Sequence, residues 1–360
     1  MQKFKVGIVG ATGMVGQRFL TLLADHPWFE VVTLAASPRS AGRTYAEAVS
    51  VRWAMSVPAP EKYAGHILVD ASDIEAVTKD VDFVFCAVDM PKDQIRALEE
   101  AYAKAETPVV SNNSANRYQT DVPMMIPECN PEHMAVIPMQ RARLGTKRGF
   151  IAAKPNCSIQ SYVPALTPLR DFGIEKISVC TYQAISGAGK TFERWPEMID
   201  NVIPYIGGEE LKSEIEPLKI WGALDETGIQ PAKSPVISAQ CYRVAVSDGH
   251  MAAVSVQFKE KPSMDEMKAR WAAYKGLPQQ YKLPSAPEQF LTYFEEPDRP
   301  QSRLDRNVGN GMGVCIGRLR EDPLFDYRFA CLSHNTLRGA AGGAVLTAEL
   351  LCHEGWIEHK

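Results

Sequence analysis

Lys3-Phe4-Lys5-Val6-Gly7-Ile8-Val9-Gly10 alternates polar and apolar residues and then stops on glycine, as a strand feeding a tight turn does. Ala11-Thr12-Gly13-Met14-Val15-Gly16-Gln17-Arg18-Phe19-Leu20-Thr21-Leu22-Leu23 follows with apolar residues at helical spacing. Strand, Gly-rich turn and helix in that order make a phosphate-binding unit. Small residues let the backbone approach a pyrophosphate, and the helix N-terminus supplies unpaired N–H groups. The glycines at 10, 13 and 16 are spaced G-x-x-G-x-x-G, one residue away from the usual dinucleotide fingerprint. The unit predicts a Rossmann-type sheet at the start of the chain.

The next strand, Glu30-Val31-Val32-Thr33-Leu34-Ala35-Ala36, ends in Ser37-Pro38-Arg39-Ser40. An acidic residue there would grip a free ribose 2′-hydroxyl. A serine and an arginine suit a 2′-phosphate instead, which a carboxylate would repel. NADP is therefore the expected cofactor. Further strands are read at 81–88 and 107–111, separated by a helix from Lys92 to Lys104 with a solvated Glu99/Glu100 face. Residues 53–63 read as a Pro-containing loop. Such alternation predicts a doubly wound parallel sheet, with ligands at the C-terminal strand ends, where Asn112 to Arg117 should lie.

The pattern changes after Lys154-Pro155-Asn156-Cys157-Ser158. Cys157 precedes the apolar run Tyr162-Val163-Pro164-Ala165-Leu166, read as a helix whose N-terminus would favour a thiolate. Segments 176–184, 236–246 and 251–258 then alternate like strands with one solvated face, the last two joined by Ser247-Asp248-Gly249 as a hairpin turn. These predict a second, α+β domain with a largely antiparallel sheet. Ser186-Gly187-Ala188-Gly189-Lys190-Thr191 ends like a P-loop but has Ala184 where that motif needs its first glycine. Residues 283–305 read as a long surface excursion with a role in subunit contact. The expected division is 1–155 plus the C-terminal helix 336–360 for nucleotide binding, and 156–335 for the second domain.

Bulk properties exclude several classes. With 360 residues, 45% hydrophobic and 23% charged, the chain can bury two ordinary cores. A net charge of −4 without like-charge blocks gives no basis for nucleic-acid binding. No apolar run reaches the length of a membrane span, so a cytoplasmic protein is expected. The eight cysteines are scattered without a C-x-x-C pair, against both a disulfide framework and a metal site.

Five stretches in register carry a resemblance across essentially the whole chain. They are Gly7 to Gly16, Pro155-Asn156-Cys157-Ser158, Tyr182 to Gly189, Arg243-Val244 with Gly249-His250, and Ser333 to Gly343. Together the chain resembles the aspartate-semialdehyde dehydrogenases of the archaeal and fungal branch. The resemblance implies Cys157 as nucleophile, His250 as acid/base and Gln183 as an orienting group. It implies Arg243 for the substrate α-carboxylate, Glu209 for its amino group, and Lys212 with Arg117 for phosphate. NADP would lie against Gly10, Thr12, Gly13, Met14, Val15, Ser37, Arg39, Ser186, Gly187 and Asn335. The implied reaction is reduction of L-4-aspartyl phosphate to aspartate 4-semialdehyde with release of phosphate, through a cysteine thioester. It belongs to lysine, methionine and threonine biosynthesis, in a homodimer or homotetramer. Two rivals are a malonyl-CoA reductase of the same architecture, which has no amino group to bind, and a Cys/His hydrolase or acyltransferase, which needs no nucleotide turn.

Overall fold

The computed structural model describes residues 2–55 and 57–360; Ser56, within the expected loop at 53–63, lies outside the described residues. The chain opens with β1 (Phe4–Val9), α1 (Met14–Leu23) and β2 (Phe29–Ala36), then β3 (Val69–Asp70), β4 (Phe83–Cys86), α2 (Lys92–Lys104), β5 (Val109–Ser111) and β6 (Ile151–Ala153). These strands form one sheet in the order β3-β2-β1-β4-β5-β6, parallel throughout. The order reverses beside β1, where doubly wound sheets bind their ligands. Val6, Ile8 and Val9 are fully buried, as a central parallel strand covered on both faces requires. At the end of β1, Gly10 has φ +90 and no room for a Cβ, which would lie 2.3 Å from the Ala87 carbonyl oxygen. Only glycine satisfies both demands.

The second sheet contains β7 (Ile174–Gln183), β8 (Val202–Ile203), β11 (Val236–Val244), β12 (His250–Phe258), β13 (Leu291–Phe294), β14 (Val314–Glu321) and β15 (Tyr327–Ser333). A separate hairpin, β9 (Ala223–Asp225) with β10 (Gly228–Gln230), follows α3 (Glu209–Ile220). The seven strands run β13-β14-β15-β12-β7-β11-β8, mixed but mostly antiparallel. The hairpin expected at 247–249 is not formed. β7 lies between β11 and β12, parallel to the first and antiparallel to the second, so residues 245–249 step across its end. Alternation showed that both segments are strands but carries no information about which neighbour each one pairs with. The step matters, because it brings Arg243, Gln183 and His250 to one end of the sheet.

Two other expectations are corrected. Glu99 is fully buried, whereas Glu100 is the partly exposed member of the pair. The Glu99 carboxyl accepts hydrogen bonds from Ser111 Oγ (2.5 Å), Asn113 Nδ2 (2.9 Å) and Asn116 Nδ2 (2.7 Å), which offset part of the cost of its burial. It thereby ties the loop after β5 to α2. Residues 283–305 are not purely a surface excursion. They contribute edge strand β13, and Leu283, Phe290 and Leu291 are buried.

The chain ends on α4 (Ala341–His353), buried on all sides from Ala341 to Leu351. It packs with Phe19, Leu20 and Val110 on one face of the parallel sheet. On the other face, one continuous core joins Val84 and Tyr102 through Ile159, Tyr162 and Leu166 to Val254 and Trp271 of the second sheet. Arg338 holds the junction. Its Nη1 and Nη2 donate to both oxygens of Glu128 at 2.8 and 2.7 Å, Nε and Nη2 donate to the Met312 carbonyl, and the guanidinium lies 4.8 Å from the Phe290 ring centroid. Both charges are fully buried. Removing one partner strands the other, so Arg338→Ala is expected to cost about 3–5 kcal/mol of stability, read as a lowered midpoint of denaturant unfolding.

Candidate active site

The loop that carries Cys157 leaves β6 and is fixed chiefly through Asn156. The Asn156 backbone N–H donates to Glu216 Oε2 at 2.6 Å, and its Nδ2 to Glu209 Oε1 and Oε2 at 3.0 Å each. Its Oδ1 accepts from the backbone N–H and the hydroxyl of Ser158. Glu209 and Glu216 both come from α3, seven positions apart and so on one helical face. Glu216, fully buried, also accepts from Arg117 Nη1 at 3.0 Å and the Tyr118 hydroxyl at 3.3 Å. Cys157 is therefore held at its preceding residue by two anchored carboxylates.

The helix expected behind Cys157 is broken. A 3₁₀ turn at Ser158–Gln160 is followed by four α-helical residues, Val163–Leu166, and a second 3₁₀ segment, Thr167–Phe172. Pro164 and Pro168 remove the donors a continuous helix would need. Without aligned peptides there is little dipole to favour a thiolate. Burial, and then the Glu209 carboxylate, push the Cys157 thiol up, against the pull of Lys154, Arg117 and Arg243.

His250 opens β12 with Nε2 3.4 Å from Cys157 Sγ, and its Nδ1 accepts the Ala184 N–H at 3.0 Å. Burial first, and then the nearby Arg243, His334 and Lys154 side chains, hold the imidazole well below its ordinary pKa. Both shifts favour the neutral forms, thiol and imidazole. Arg243, in register with Gln183 across β11 and β7, donates from Nη1 to the Ala184 carbonyl at 2.7 Å. Gly187 lies over both side chains. A Cβ there would be 2.8 Å from Arg243 Nη1 and 3.1 Å from the His250 ring.

Glu209 is neutralised by Lys212 Nζ at 2.7 Å and receives Gln183 Nε2 at 3.2 Å. Burial works to raise its carboxyl, but Lys212, Gln183 and Asn156 outweigh it and keep the group ionised. Gln183 makes its other hydrogen bond to Thr181 Oγ1 and none to Cys157, so it bears on Glu209 rather than on the sulfur. Arg117 Nη2 reaches the Asn112 carbonyl, while its Nε and the Asn112 Nδ2 are buried without a partner. Two orphaned donors on residues in hydrogen-bond contact give this part of the cavity the chemistry to receive an anion.

Val15, Arg117, Cys157, Ser186, Gly187, Glu209, Lys212 and Asn335 line one cavity of about 510 Å³ between the two sheets. Asn335 bridges its walls, donating to Ser186 Oγ and accepting the Gly249 N–H. Gly13, at the head of α1, is exposed, and a Cβ on it would meet only the Gly10 carbonyl at 3.5 Å. Nothing in the protein needs this position small, so the open space over Gly13 and the free N–H groups of Met14 and Val15 fit a pyrophosphate. Ser37 and Arg39 stand exposed just beyond β2, and Thr12 lies in the same turn as Gly13. Among the described residues, no cluster of potential ligands could hold a metal ion.

Sequence reasoning missed the roles of Asn156, Glu216, Asn112 and Lys154. Lys154 is fully buried, donates only to the Pro155 carbonyl at 2.6 Å, and is brought down to about 7, chiefly by burial. Glu216 left one faint signal, its spacing from Glu209, which a solvated helix face would share.

The parallel sheet with its nucleotide turn, the mixed sheet, and the cysteine and histidine at their junction define a nicotinamide-dependent semialdehyde dehydrogenase. Residues 5–137 match the semialdehyde dehydrogenase NAD binding domain, and 166–338 the semialdehyde dehydrogenase dimerisation domain. The chain is 44% identical to the aspartate-semialdehyde dehydrogenase of Archaeoglobus fulgidus over 98% of this chain and 99% of the relative. It is 43% identical to that of Aspergillus fumigatus over 99% of each. The chain belongs to the aspartate-semialdehyde dehydrogenase family. Among solved structures, the Candida albicans enzyme with NADP superposes with a TM-score of 0.89 at 38% identity, covering 99% of this chain and all of that one. Aspartate semialdehyde dehydrogenase II of Vibrio cholerae, complexed with ASA, gives 0.76 at 27% identity, covering 99% of this chain and 100% of that one.

Gly187→Ala should push Arg243 and the His250 ring apart while leaving circular dichroism unchanged. A displacement of this size is expected to lower kcat/KM by about 10- to 100-fold in steady-state assays.

Proposed function

We propose that this enzyme interconverts L-aspartate 4-semialdehyde and L-4-aspartyl phosphate with NADP and phosphate, through an acyl thioester on Cys157. The observation that carries the reading is one cavity in which Cys157 faces His250 while Glu209, Lys212 and Arg117 line the same walls. The substrate is an amino acid, and the cavity supplies charges for it. Glu209 takes the ammonium, and Arg243, with most of its fork uncommitted, takes the α-carboxylate. In the resting state Lys212 sits on Glu209. Arrival of the substrate ammonium replaces it, and the freed Lys212 joins Arg117 and Asn112 at the phosphate.

NADP supplies the hydride acceptor in one direction and the donor in the other. Gly10, Thr12, Gly13, Met14 and Val15 offer the pyrophosphate its turn, Ser37 and Arg39 the 2′-phosphate, and Ser186, Gly187 and Asn335 the nicotinamide end. Cys157 forms and breaks the bond to carbon, His250 attends the oxygen, and Gln183 steadies Glu209. The malonyl-CoA reductase reading leaves Glu209 and its three donors without a purpose. A Cys/His hydrolase leaves the space over Gly13 unexplained.

We take residues 1–155 with 336–360 as the nucleotide-binding domain and 156–335 as the catalytic one. The second sheet buries Ile177, Val179 and Val254 on one face. Its other face presents Tyr182 stacked on Tyr242 with Val236 exposed, a surface fitted to a second copy in a homodimer or in a tetramer built from it. No described helix is long and apolar enough to cross a membrane, and a cytoplasmic enzyme of lysine, methionine and threonine biosynthesis is the proposed setting.

The deciding assay follows NADPH absorbance with aspartate semialdehyde, NADP+ and phosphate, beside malonyl-CoA with NADPH. Phosphate-dependent reduction of NADP+ is expected; activity only on malonyl-CoA would overturn the assignment. Cys157→Ala should abolish turnover yet bind NADP as the parent does, measured by quenching of tryptophan fluorescence. Arg39→Ala should reduce the preference for NADP over NAD by about tenfold, the scale of one charge-assisted hydrogen bond. A parent enzyme that uses both cofactors equally would remove the case for Ser37 and Arg39.

A further inference from the structure

We propose that Lys154 and Glu216 clamp a single peptide, the one between Pro155 and Asn156, with a buried cation on its carbonyl and a buried anion on its N–H, and that Lys154 acts through this clamp as a positioning residue for Cys157. The clamp stands on geometry; its consequence for turnover rests on the proposed thioester chemistry.

Lysine is almost never fully buried unless something holds its charge. Lys154 is 2% exposed just beyond β6, where its backbone N–H donates to the Ser111 carbonyl at 2.8 Å. Its stem passes the start of α4, since a Cβ on Gly343 would stand 3.2 Å from Lys154 Cε. The Nζ then turns back on its own chain and donates to the Pro155 carbonyl at 2.6 Å. The N–H at the other end of that peptide belongs to Asn156 and donates to Glu216 Oε2, also at 2.6 Å. Both bonds are short and charge-assisted. A peptide is a dipole with its negative end at oxygen and its positive end at the N–H, so each charge sits at the end it stabilises. Cation, peptide and anion form one buried chain of interactions, and the low dielectric strengthens every link of it.

The two charges are not held equally. Glu216 has further donors in Arg117 and Tyr118, whereas Lys154 has the Pro155 carbonyl alone. Lys154 is therefore the member that titrates. Burial brings it to about 7, with Arg117 from beyond β5 and Arg338 from ahead of α4 pushing the same way, and Cys157 and Glu216 on α3 opposing them. His250 on β12 feels the same charge. Because the pKa in the fold lies below the ordinary one, the ammonium is complete below about 7 and is lost as pH rises through that value. The clamp loosens with it. While it carries its charge, Lys154 also draws the Cys157 thiol down. Asn156 is the residue before Cys157, and its side chain is already held by Glu209 and Ser158. Backbone and side chain together hold the turn from which the sulfur must reach carbon, and reaction rates fall steeply with small errors in that placement.

The clamped peptide can be watched by itself, because Pro-Asn occurs once in the chain. In the full-length enzyme labelled with carbonyl-¹³C proline and ¹⁵N asparagine, a carbonyl-to-nitrogen correlated NMR spectrum holds one peak, from Pro155 and Asn156. As pH rises from acid to alkaline, that peak is expected to shift in one step with its midpoint at about 7. A peak without a step overturns the proposal. Lys154→Met keeps a buried stem, removes the charged donor and should abolish the step; a step that survives belongs to another group and overturns the proposal as well. With folding checked by NADP quenching of tryptophan fluorescence, the variant's kcat below about pH 7 should fall about 10- to 100-fold with KM for NADP unchanged. Alkylation of its Cys157 by iodoacetamide, followed by mass spectrometry of the Cys157 peptide, should be about tenfold slower below pH 7 and approach the parent's rate as pH rises past it. Slowing by the same factor at every pH marks a structural role only and refutes the part given to the charge. A folded Lys154→Met enzyme with the parent's kcat and alkylation refutes positioning. Peak and alkylation are read without turnover, so a normal step in an enzyme inactive on aspartate semialdehyde rejects the proposed function and leaves the clamp standing.

Discussion

Glu216 is the fixed point of the active site. Its carboxylate is fully buried and accepts from three groups that belong to different parts of the site: the Asn156 backbone, Arg117 and Tyr118. An ionised carboxylate out of water is tolerated only where such donors converge, and the donors are in turn held where the carboxylate is. The loop of Cys157, the Arg117 segment and α3 are thus set against one another by a group that does not itself line the cavity. Seven positions earlier on the same helical face, Glu209 does the same for the Asn156 side chain and Gln183. One face of α3 carries both Glu216, which supports the site, and Glu209, which lines its cavity.

Much of this was legible in the sequence. The strand, turn and helix of residues 4–23 were clear because a parallel central strand and a Gly-rich turn leave local signatures. Cys157, His250, Arg243 and Glu209 could be named because five stretches resemble one family in register. What was not legible was mostly pairing. Strands 236–246 and 251–258 were recognised, but their shared neighbour β7 was not, since strand order comes from long-range contacts. The burial of Glu99 is not legible because an acid at helical spacing looks the same whether water or three side-chain donors meet it. The broken helix after Cys157 was written in Pro164 and Pro168, and the apolar run around them masked it.

The site also depends on how the two sheets meet. Ile159, Tyr162 and Leu166, just after Cys157, belong to the core that joins both sheets, and Trp271 Nε1 donates to the Ala165 carbonyl in their midst at 2.7 Å. Cys157 is therefore mounted on packed interior rather than on a surface loop. That compensates for the absence of a long helix behind it. Rigidity comes here from apolar contact and from Asn156, and charge stabilisation from Lys154, Arg117 and Arg243.

The burial of α4 bears on the order in which the protein can be made. This helix covers α1 and one face of the first sheet, yet it is separated from them by the whole of the second sheet along the chain. During synthesis the strands from β1 to β6 leave the ribosome with Phe19, Leu20 and Val110 uncovered. They wait for roughly 190 residues of intervening chain before their last layer arrives. The second domain has to fold as a loop tethered at both ends to an unfinished first one. A chaperone that shields that apolar groove has its longest window of action in this interval.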